Sequence, residues 1–293
     1  MKNILVTGHE GFIGKHLTAL LDKNDLPWVG YDLVNGDDIR DKHNLDRVFE
    51  MNQIRYVIHL AALAGIRRGG LYPDEYISTN ILGTQNVTNM CDKYNIEKFI
   101  FYSSSSVFGN SKEPPFREDD GKKPESLYGI SKLAGEHIVN NSECNTTIVR
   151  PFTVYGENGR KDEVIYKWLE QYRNELPITI YGDGRSCRGY VYVKDLVKAT
   201  IDILEIDNDK KHEDFNLGGN EVIYLNDIIN ILKEEINDVK FITLDLPKED
   251  VLENFANTRK AKELLGFDPK PNFANNLRKI INEFKKYEKN TIL

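Results

Sequence analysis

The sequence predicts an α/β fold: a doubly wound parallel sheet joined to a smaller C-terminal α/β lobe. Two observations predict it. Strand-like and helix-like segments alternate through the first half of the chain, and a glycine-rich turn follows the first strand directly. Such alternation implies parallel strands linked by crossover helices. A third observation, an acidic residue closing the second strand, narrows what the sheet holds.

The elements read in order. ILVTG is a short apolar run ending in glycine, a buried strand, and FIGKHLTALLDK follows with apolar residues at helical spacing. WVGYD then reads as strand, LDRVFEM as helix, YVIHLAA as strand, and a helix runs from about Asp74 to Tyr94. KFIFYSS is a strand, about Ser126 to Val139 a helix, and TTIVRPF a strand. After Pro151 the pattern loosens. Glycines, prolines and short strands mix with helices near Glu163–Arg173, Leu225–Ile236 and Phe273–Tyr287. The expected division is residues 1–152 for the first domain and 153–293 for the second lobe. VKDLVKATIDILE, near 190–206, is expected to return and pack on the first. A crevice between lobes is a common place for a second ligand.

Composition bounds the function. The 293 residues are 40% hydrophobic and 29% charged, ordinary for a globular protein, with a net charge of −7. That balance argues against a nucleic-acid binder, so an anionic ligand must be met by local arginines. Cys91, Cys144 and Cys187 show no paired spacing, and no His/Cys/Asp cluster has metal-ligand spacing. MKNILVTGHEG reaches its glycine turn too early for a signal peptide, and no apolar run approaches the roughly 20 residues of a membrane span. The expectation is a reduced, cytoplasmic protein.

The turn is Gly8-His9-Glu10-Gly11-Phe12-Ile13-Gly14. In a Rossmann-type sheet the first glycine makes the tight turn, the second lets backbone approach a pyrophosphate, and the third lets helix pack on strand. The helix N-terminus then faces the phosphate charge. The pattern alone is weak, an ordinary turn being the alternative, but its place after a strand strengthens it. Asp32 ends the second strand, where a carboxylate accepts from ribose hydroxyls and repels a 2′-phosphate. No arginine follows in Leu33-Val34-Asn35, which favours NAD over NADP. Asp38 and Ile39 lie within reach of an adenine. At the third strand end, HLAA, His59 reads as a packed strand residue, while Leu60, Ala61 and Ala62 let backbone lie close to the cofactor.

Tyr128 and Lys132 open a predicted helix at i and i+4, on one face. A free phenol titrates near 10, and an ammonium a few ångströms away lowers that value. The pair is a tuned base for an alcohol proton. The spacing alone is a common accident, but Ser103-Ser104-Ser105-Ser106 follows the fourth strand at the same sheet edge. Four hydroxyls there are poor packing and good donors to a sugar.

With these motifs the chain resembles the extended short-chain dehydrogenase/reductase family of nucleotide-sugar enzymes, over nearly its whole length. GHEGFIG resembles the family's glycine motif, YGISK its Y-x-x-x-K, and NILGTQNV its asparagine-bearing helix, carried by Asn80. YGDGRSCRGYVYVKD resembles the segment whose arginine, Arg188, grips the substrate diphosphate. AALAGIRR, SSSSVFG and RPFTVYGENGRKD resemble most closely members that epimerise UDP-glucuronate at C4. The resemblance implies Ser104, Tyr128 and Lys132 as catalytic residues. It implies NAD held by the residues above and Asn80, and a UDP-sugar held by Arg67, Ser105, Ser106, Thr153, Arg160, Arg188 and Asp250. It implies removal of the 4-hydroxyl proton by Tyr128, a 4-keto sugar and return of hydride to its other face. It also implies a homodimer built on the helices 74–94 and 126–139. Relatives that eliminate water or decarboxylate carry acids where Ser105 and Ser106 stand, which argues against both reactions. Epimerisation of UDP-glucose or UDP-N-acetylglucosamine comes next as an alternative, then a UDP-sugar decarboxylase or dehydratase, or a non-catalytic dinucleotide-binding regulator. Three departures stand out: Phe108 for the tyrosine of VYG, Glu157 for a common proline, and Pro247 where a second diphosphate arginine stands, with Lys248 as a point-charge substitute.

Overall fold

The computed structural model describes residues 3–206, 210–247 and 251–290, with side chains through residue 286. The first half alternates as the sequence predicts. Its elements are β1 (Asn3–Thr7), α1 (Phe12–Lys23), β2 (Trp28–Tyr31), α2 (Lys42–Asn52), β3 (Ile54–His59) and the short α3 (Ile66–Leu71). Next, α4 (Pro73–Tyr76) passes through a π-helical stretch, Ile77–Gly83, into α5 (Thr84–Lys93). Then come β4 (Lys98–Tyr102), α6 (Leu127–Asn140) and β5 (Thr146–Pro151). Beyond lie β6 (Val154–Tyr155), α7 (Val164–Arg173), β7 (Ile178–Tyr181), β8 (Cys187–Gly189), β9 (Val191–Tyr192), α8 (Val193–Glu205) and β10 (His212–Leu217). The chain closes with β11 (Val222–Tyr224), α9 (Leu225–Glu235), β12 (Phe241–Leu244), β13 (Glu253–Asn254), α10 (Arg259–Leu265) and α11 (Phe273–Asn290).

The main sheet has six strands in the order β10-β5-β4-β3-β1-β2, and every pairing is parallel. Its strands read as apolar runs because both faces are covered. On one face, α1 and α8 pack over Ile4, Val6, Ile58, Ile100 and Val149. On the other, Leu5, Val57, Phe99 and Phe101 meet the layer of α2, α5 and α6, with Leu45, Phe49, Val87 and Val139. The strand order reverses between β1 and β3. The crevice beyond the carboxyl ends of those strands is the topological switch point, where open α/β sheets bind ligands.

The second lobe has its own core, built on α7, α9 and α11 around Trp168, Leu169, Ile228, Leu232, Leu277 and Ile281. The crossing between lobes is more extensive than the returning helix alone. α8 does pack on the first core, but β10 also joins the main sheet beside β5, and Ala261 and Phe267 pack with it. Four aromatic and aliphatic residues, Val107, Phe108, Phe116 and Phe152, fill the seam. Phe108 stacks on Phe116 at 4.9 Å, which explains why an unsubstituted ring suffices there. Among the described residues, no helix is long and apolar enough to cross a membrane. All three cysteines are buried free thiols.

Candidate active site

The glycine turn meets the end of β3 in van der Waals contact. Gly8 has φ +74°, and a Cβ there would lie 2.7 Å from the Ala61 nitrogen. A Cβ on Gly14 would lie 2.2 Å from the Gly8 carbonyl, so the helix approaches its strand only with glycine at that position. Gly11 caps α1 without any side-chain hydrogen bond. The first-turn N–H groups of α1 therefore keep their capacity for an anion. Phe12 and Ile13 are half-buried and pack against the core under α1.

Asp32 is half-buried at the end of β2. One oxygen accepts from Glu10 N and the other from Val34 N, each at 3.0 Å. The carboxylate thus ties the glycine turn to β2 and retains a lone pair on each oxygen for two hydroxyls. Asp38 sits nearby, its carboxylate bound by Arg40 at 2.9 Å and held low by that guanidinium. Ile39 turns its side chain into the core, 4% exposed, so any contact with an adenine comes from its backbone.

The wall beyond β3 is a set of hydrogen bonds among buried groups. Leu60 N donates to the Thr7 carbonyl and Ala61 N to the Thr7 hydroxyl. His59 bridges Thr7 (2.6 Å) and Thr84 (3.1 Å), and burial pushes its pKa down to about 3. It is a neutral core histidine, as its apolar strand suggests. Asn80 is turned onto the neighbouring loop. Its amide accepts from Leu63 N at 2.8 Å and donates to the Leu63 carbonyl and the Ser131 hydroxyl, and it is 1% exposed. It fixes the 61–64 loop. Ala62 lies on that loop, half-buried.

Tyr128 stands at the start of α6, which Ser126 caps by accepting from Gly129 N. Burial raises its phenol pKa, and Arg160 and a hydrogen bond with Ser104 lower it. Lys132 is arranged differently from the sequence expectation. It is 4% exposed and donates to the Tyr102 carbonyl at 2.7 Å. Burial lowers its pKa to about 7. Arg160 is a cation that acts on the Tyr128 phenol, and Lys132 is bonded at the end of β4.

The four serines divide the work. Ser103 points inward and donates to Glu136 at 2.5 Å. Glu136 in turn holds Arg150, which also reaches Asp214; all this is structural and buried under the sheet edge. Ser104 donates to Ser106 Oγ and accepts from Ser106 N, both at 3.1 Å. Ser105 accepts from Asn254 Nδ2 at 3.0 Å, so β13 of the second lobe reaches the serine turn. Thr153 is half-buried just past β5, its carbonyl accepting from Val191 N.

The arginines fall into distinct settings. Arg160 donates through Nε to Asp162 Oδ1 at 2.9 Å and through Nη2 to Asp162 Oδ2. Arg188, half-buried on β8, donates to the carbonyls of Cys187, Val251 and Leu252. Arg67 is exposed, with its guanidinium 4.5 Å above the Tyr181 ring across the crevice. Asp250 and Lys248 lie outside the described residues. Glu157 accepts from the Tyr192 hydroxyl at 2.7 Å and from Lys194 at 3.0 Å. A proline there would forfeit those links to β9 and α8.

Sequence reasoning missed Tyr76, Asp162, Glu163 and Asn254. Tyr76 donates to the carbonyls of Ala64 and Gly65 and sits edge-on to Tyr128. Asp162 and Glu163 follow Arg160 closely in sequence, in the turn before α7. Asn254 gives no local signal, since only the pairing of β13 with β8 brings it to Ser105.

Residues 4–218 match the model of the NAD dependent epimerase/dehydratase family. The chain belongs to this family. A UDP-glucuronate 4-epimerase of Thermodesulfobacterium geofontis is 32% identical, over 95% of this chain and 94% of its own. The crystal structure of a Bacillus cereus UDP-glucuronic acid 4-epimerase, in complex with UDP-glucuronic acid and NAD, superposes with a TM-score of 0.89 at 30% identity. It covers 97% of this chain and 99% of that one. A Thermotoga maritima UDP-glucose 4-epimerase with UDP-glucose also matches with a TM-score of 0.89, at 29% identity over the same shares. The fold thus agrees with that of these relatives over nearly the whole chain.

Proposed function

We propose that this chain is an NAD-dependent UDP-sugar 4-epimerase that converts UDP-glucuronate to UDP-galacturonate. The observation that carries the reading is the setting of Tyr128. Its phenol is hydrogen-bonded with Ser104 and lies under the influence of the Arg160 charge.

The residues fit a dinucleotide by shape. A Cβ at Gly8 would fill the cradle, the α1 N-terminus supplies N–H donors for pyrophosphate, and Asp32 keeps capacity for ribose hydroxyls while repelling a 2′-phosphate. NAD, when bound, supplies the hydride acceptor and donor that an alcohol–ketone interchange requires. This chain's own groups handle the proton and the sugar. Tyr128 takes the 4-hydroxyl proton and later returns it, with Ser104 and Arg160 stabilising its ionised form against burial. Ser106 and Thr153 line the sugar side, and Arg160 faces the uronate carboxylate. Arg188 serves the diphosphate from β8. Arg67 flanks the crevice beside Tyr181.

A second reading, epimerisation of neutral UDP-hexoses, is favoured by one observation: Asp162 already occupies one edge of the Arg160 guanidinium. Incubation with UDP-glucuronate without added NAD, followed by NMR, decides. UDP-galacturonate is expected, and Tyr128→Phe should abolish it. A UDP-pentose as main product, or turnover of UDP-glucose alone, would sink the uronate reading.

We also propose a cytoplasmic homodimer. The α4–α5 helix and α6 leave Ile77, Leu82 and Ile130 about half exposed, at 47%, 48% and 49%. Apolar side chains on two adjacent helices suit a four-helix bundle with a second copy.

A further inference from the structure

Glu163 is the residue whose placement the reaction above does not use. It occupies the N-cap position of α7 yet makes no side-chain cap hydrogen bond. Its carboxylate instead stands 3.8 Å from Arg160 Nη2. The Arg160–Asp162 pair lies against the 61–65 loop: a Cβ on Gly65 would come within 2.8 Å of Asp162 Oδ2 and 3.6 Å of Arg160 Nη2. Glu163 therefore completes a charged cluster with Arg160 and Asp162 beside the 61–65 loop.

The geometry of a guanidinium makes this consequential. A carboxylate binds it best across one of two forks, Nε/Nη2 or Nη1/Nη2. Asp162 holds the first fork. Glu163 faces Nη2, the nitrogen common to both. A third carboxylate finds Nη1 alone unless Glu163 withdraws. Neutral sugars face no such competition.

We propose that Glu163 is a specificity-determining residue at the sugar subsite: its carboxylate competes with a substrate uronate for Arg160 and sets the balance between acidic and neutral UDP-sugars. This rests on the reading of Arg160 as the group facing the sugar's C5 substituent. The surroundings agree with it. Arg160 and Arg188 both act on the Glu163 carboxyl, whose pKa burial raises, and Glu163 in turn acts on Tyr128. The carboxylate thus lies within electrostatic reach of the proton-transfer group and of both arginines assigned to the substrate.

The test compares the holoenzyme with Glu163→Gln and Glu163→Met, measuring KM for UDP-glucuronate and for UDP-glucose. Where UDP-glucuronate is not turned over, its inhibition constant against UDP-glucose replaces KM. The ratio of the UDP-glucuronate constant to the UDP-glucose KM should fall about five-fold in both variants, as expected for loss of a partly solvated like-charge contact. A ratio within about two-fold of wild type in both variants overturns the proposal. The wild-type product reports separately on the uronate reading. A wild type that converts only UDP-glucose, with variants that gain affinity for UDP-glucuronate, refutes that reading and upholds Glu163. A wild type that makes UDP-galacturonate, with an unchanged ratio in the variants, does the reverse.

Discussion

At the scale of single residues, the buried titratable groups set how the protein answers to pH. His59 is neutral in the fold, its pKa pushed down to about 3 chiefly by burial and then by the Lys132 charge. The unfolded chain takes up a proton near 6.5 that the folded one refuses. Its contribution to stability is therefore complete above that value and is lost as pH falls from 6.5 towards 3, at up to about 1.4 kcal/mol per pH unit. His59→Asn should flatten this acid limb. Urea titrations at pH 6.5, 5.5 and 4.5 check it, and parallel losses in the two proteins would refute it. Lys132 works in another window. Its pKa is lowered by burial to about 7, so the folded chain releases a proton there that the unfolded chain keeps to its ordinary value of 10.5. Stability from this group rises with pH between those two values.

At the scale of elements, strand ends and helix turns are fixed by polar groups that would be costly if left alone. Arg150 on β5 donates twice to Glu136 on α6 and once to Asp214 on β10, joining helix and two strands under the serine turn. Arg150→Met should leave Glu136, 3% exposed, without its cation. Breaking a buried pair from one side costs about 3–5 kcal/mol, and denaturant unfolding measures it. Glu136→Gln combined with Arg150→Met should recover part of that loss. No recovery would mean that packing of the arginine stem, not charge, carries the effect. The π-helical stretch between α4 and α5 has a comparable task. It carries Asn80, whose amide holds both backbone groups of Leu63, so a wide helical turn shapes a loop facing the cofactor crevice.

At the scale of the whole molecule, two lobes meet at the site and share the work. The first supplies the glycine cradle, Tyr128 and the serines, and the second supplies Glu163, Arg188 and Asn254. The dimer proposed above is argued from Ile77, Leu82 and Ile130, which the fold leaves about half exposed. Ile77→Asp with Ile130→Asp should halve the mass seen by analytical ultracentrifugation. A variant pair that keeps the wild-type mass would place any dimer contact elsewhere.

Local sequence determined the frame. Apolar runs, helical spacing and the Gly8–Gly14 turn act over a few residues, so the alternating elements, the switch-point cradle, Asp32 and the i, i+4 tyrosine–lysine pair were legible without coordinates. The resemblance added Arg160 and Arg188. Only tertiary structure decided what depends on distant partners. It placed β10 beside β5, drew Lys132 to the Tyr102 carbonyl, brought the Arg160 charge to bear on Tyr128, turned Asn80 onto Leu63, and brought Asn254 to Ser105. The physical reason is that a side chain's role depends on which charges and hydrogen-bonding groups surround it in space. Periodicity encodes which face of an element is buried, whereas the neighbours met on that face come from segments tens of residues away.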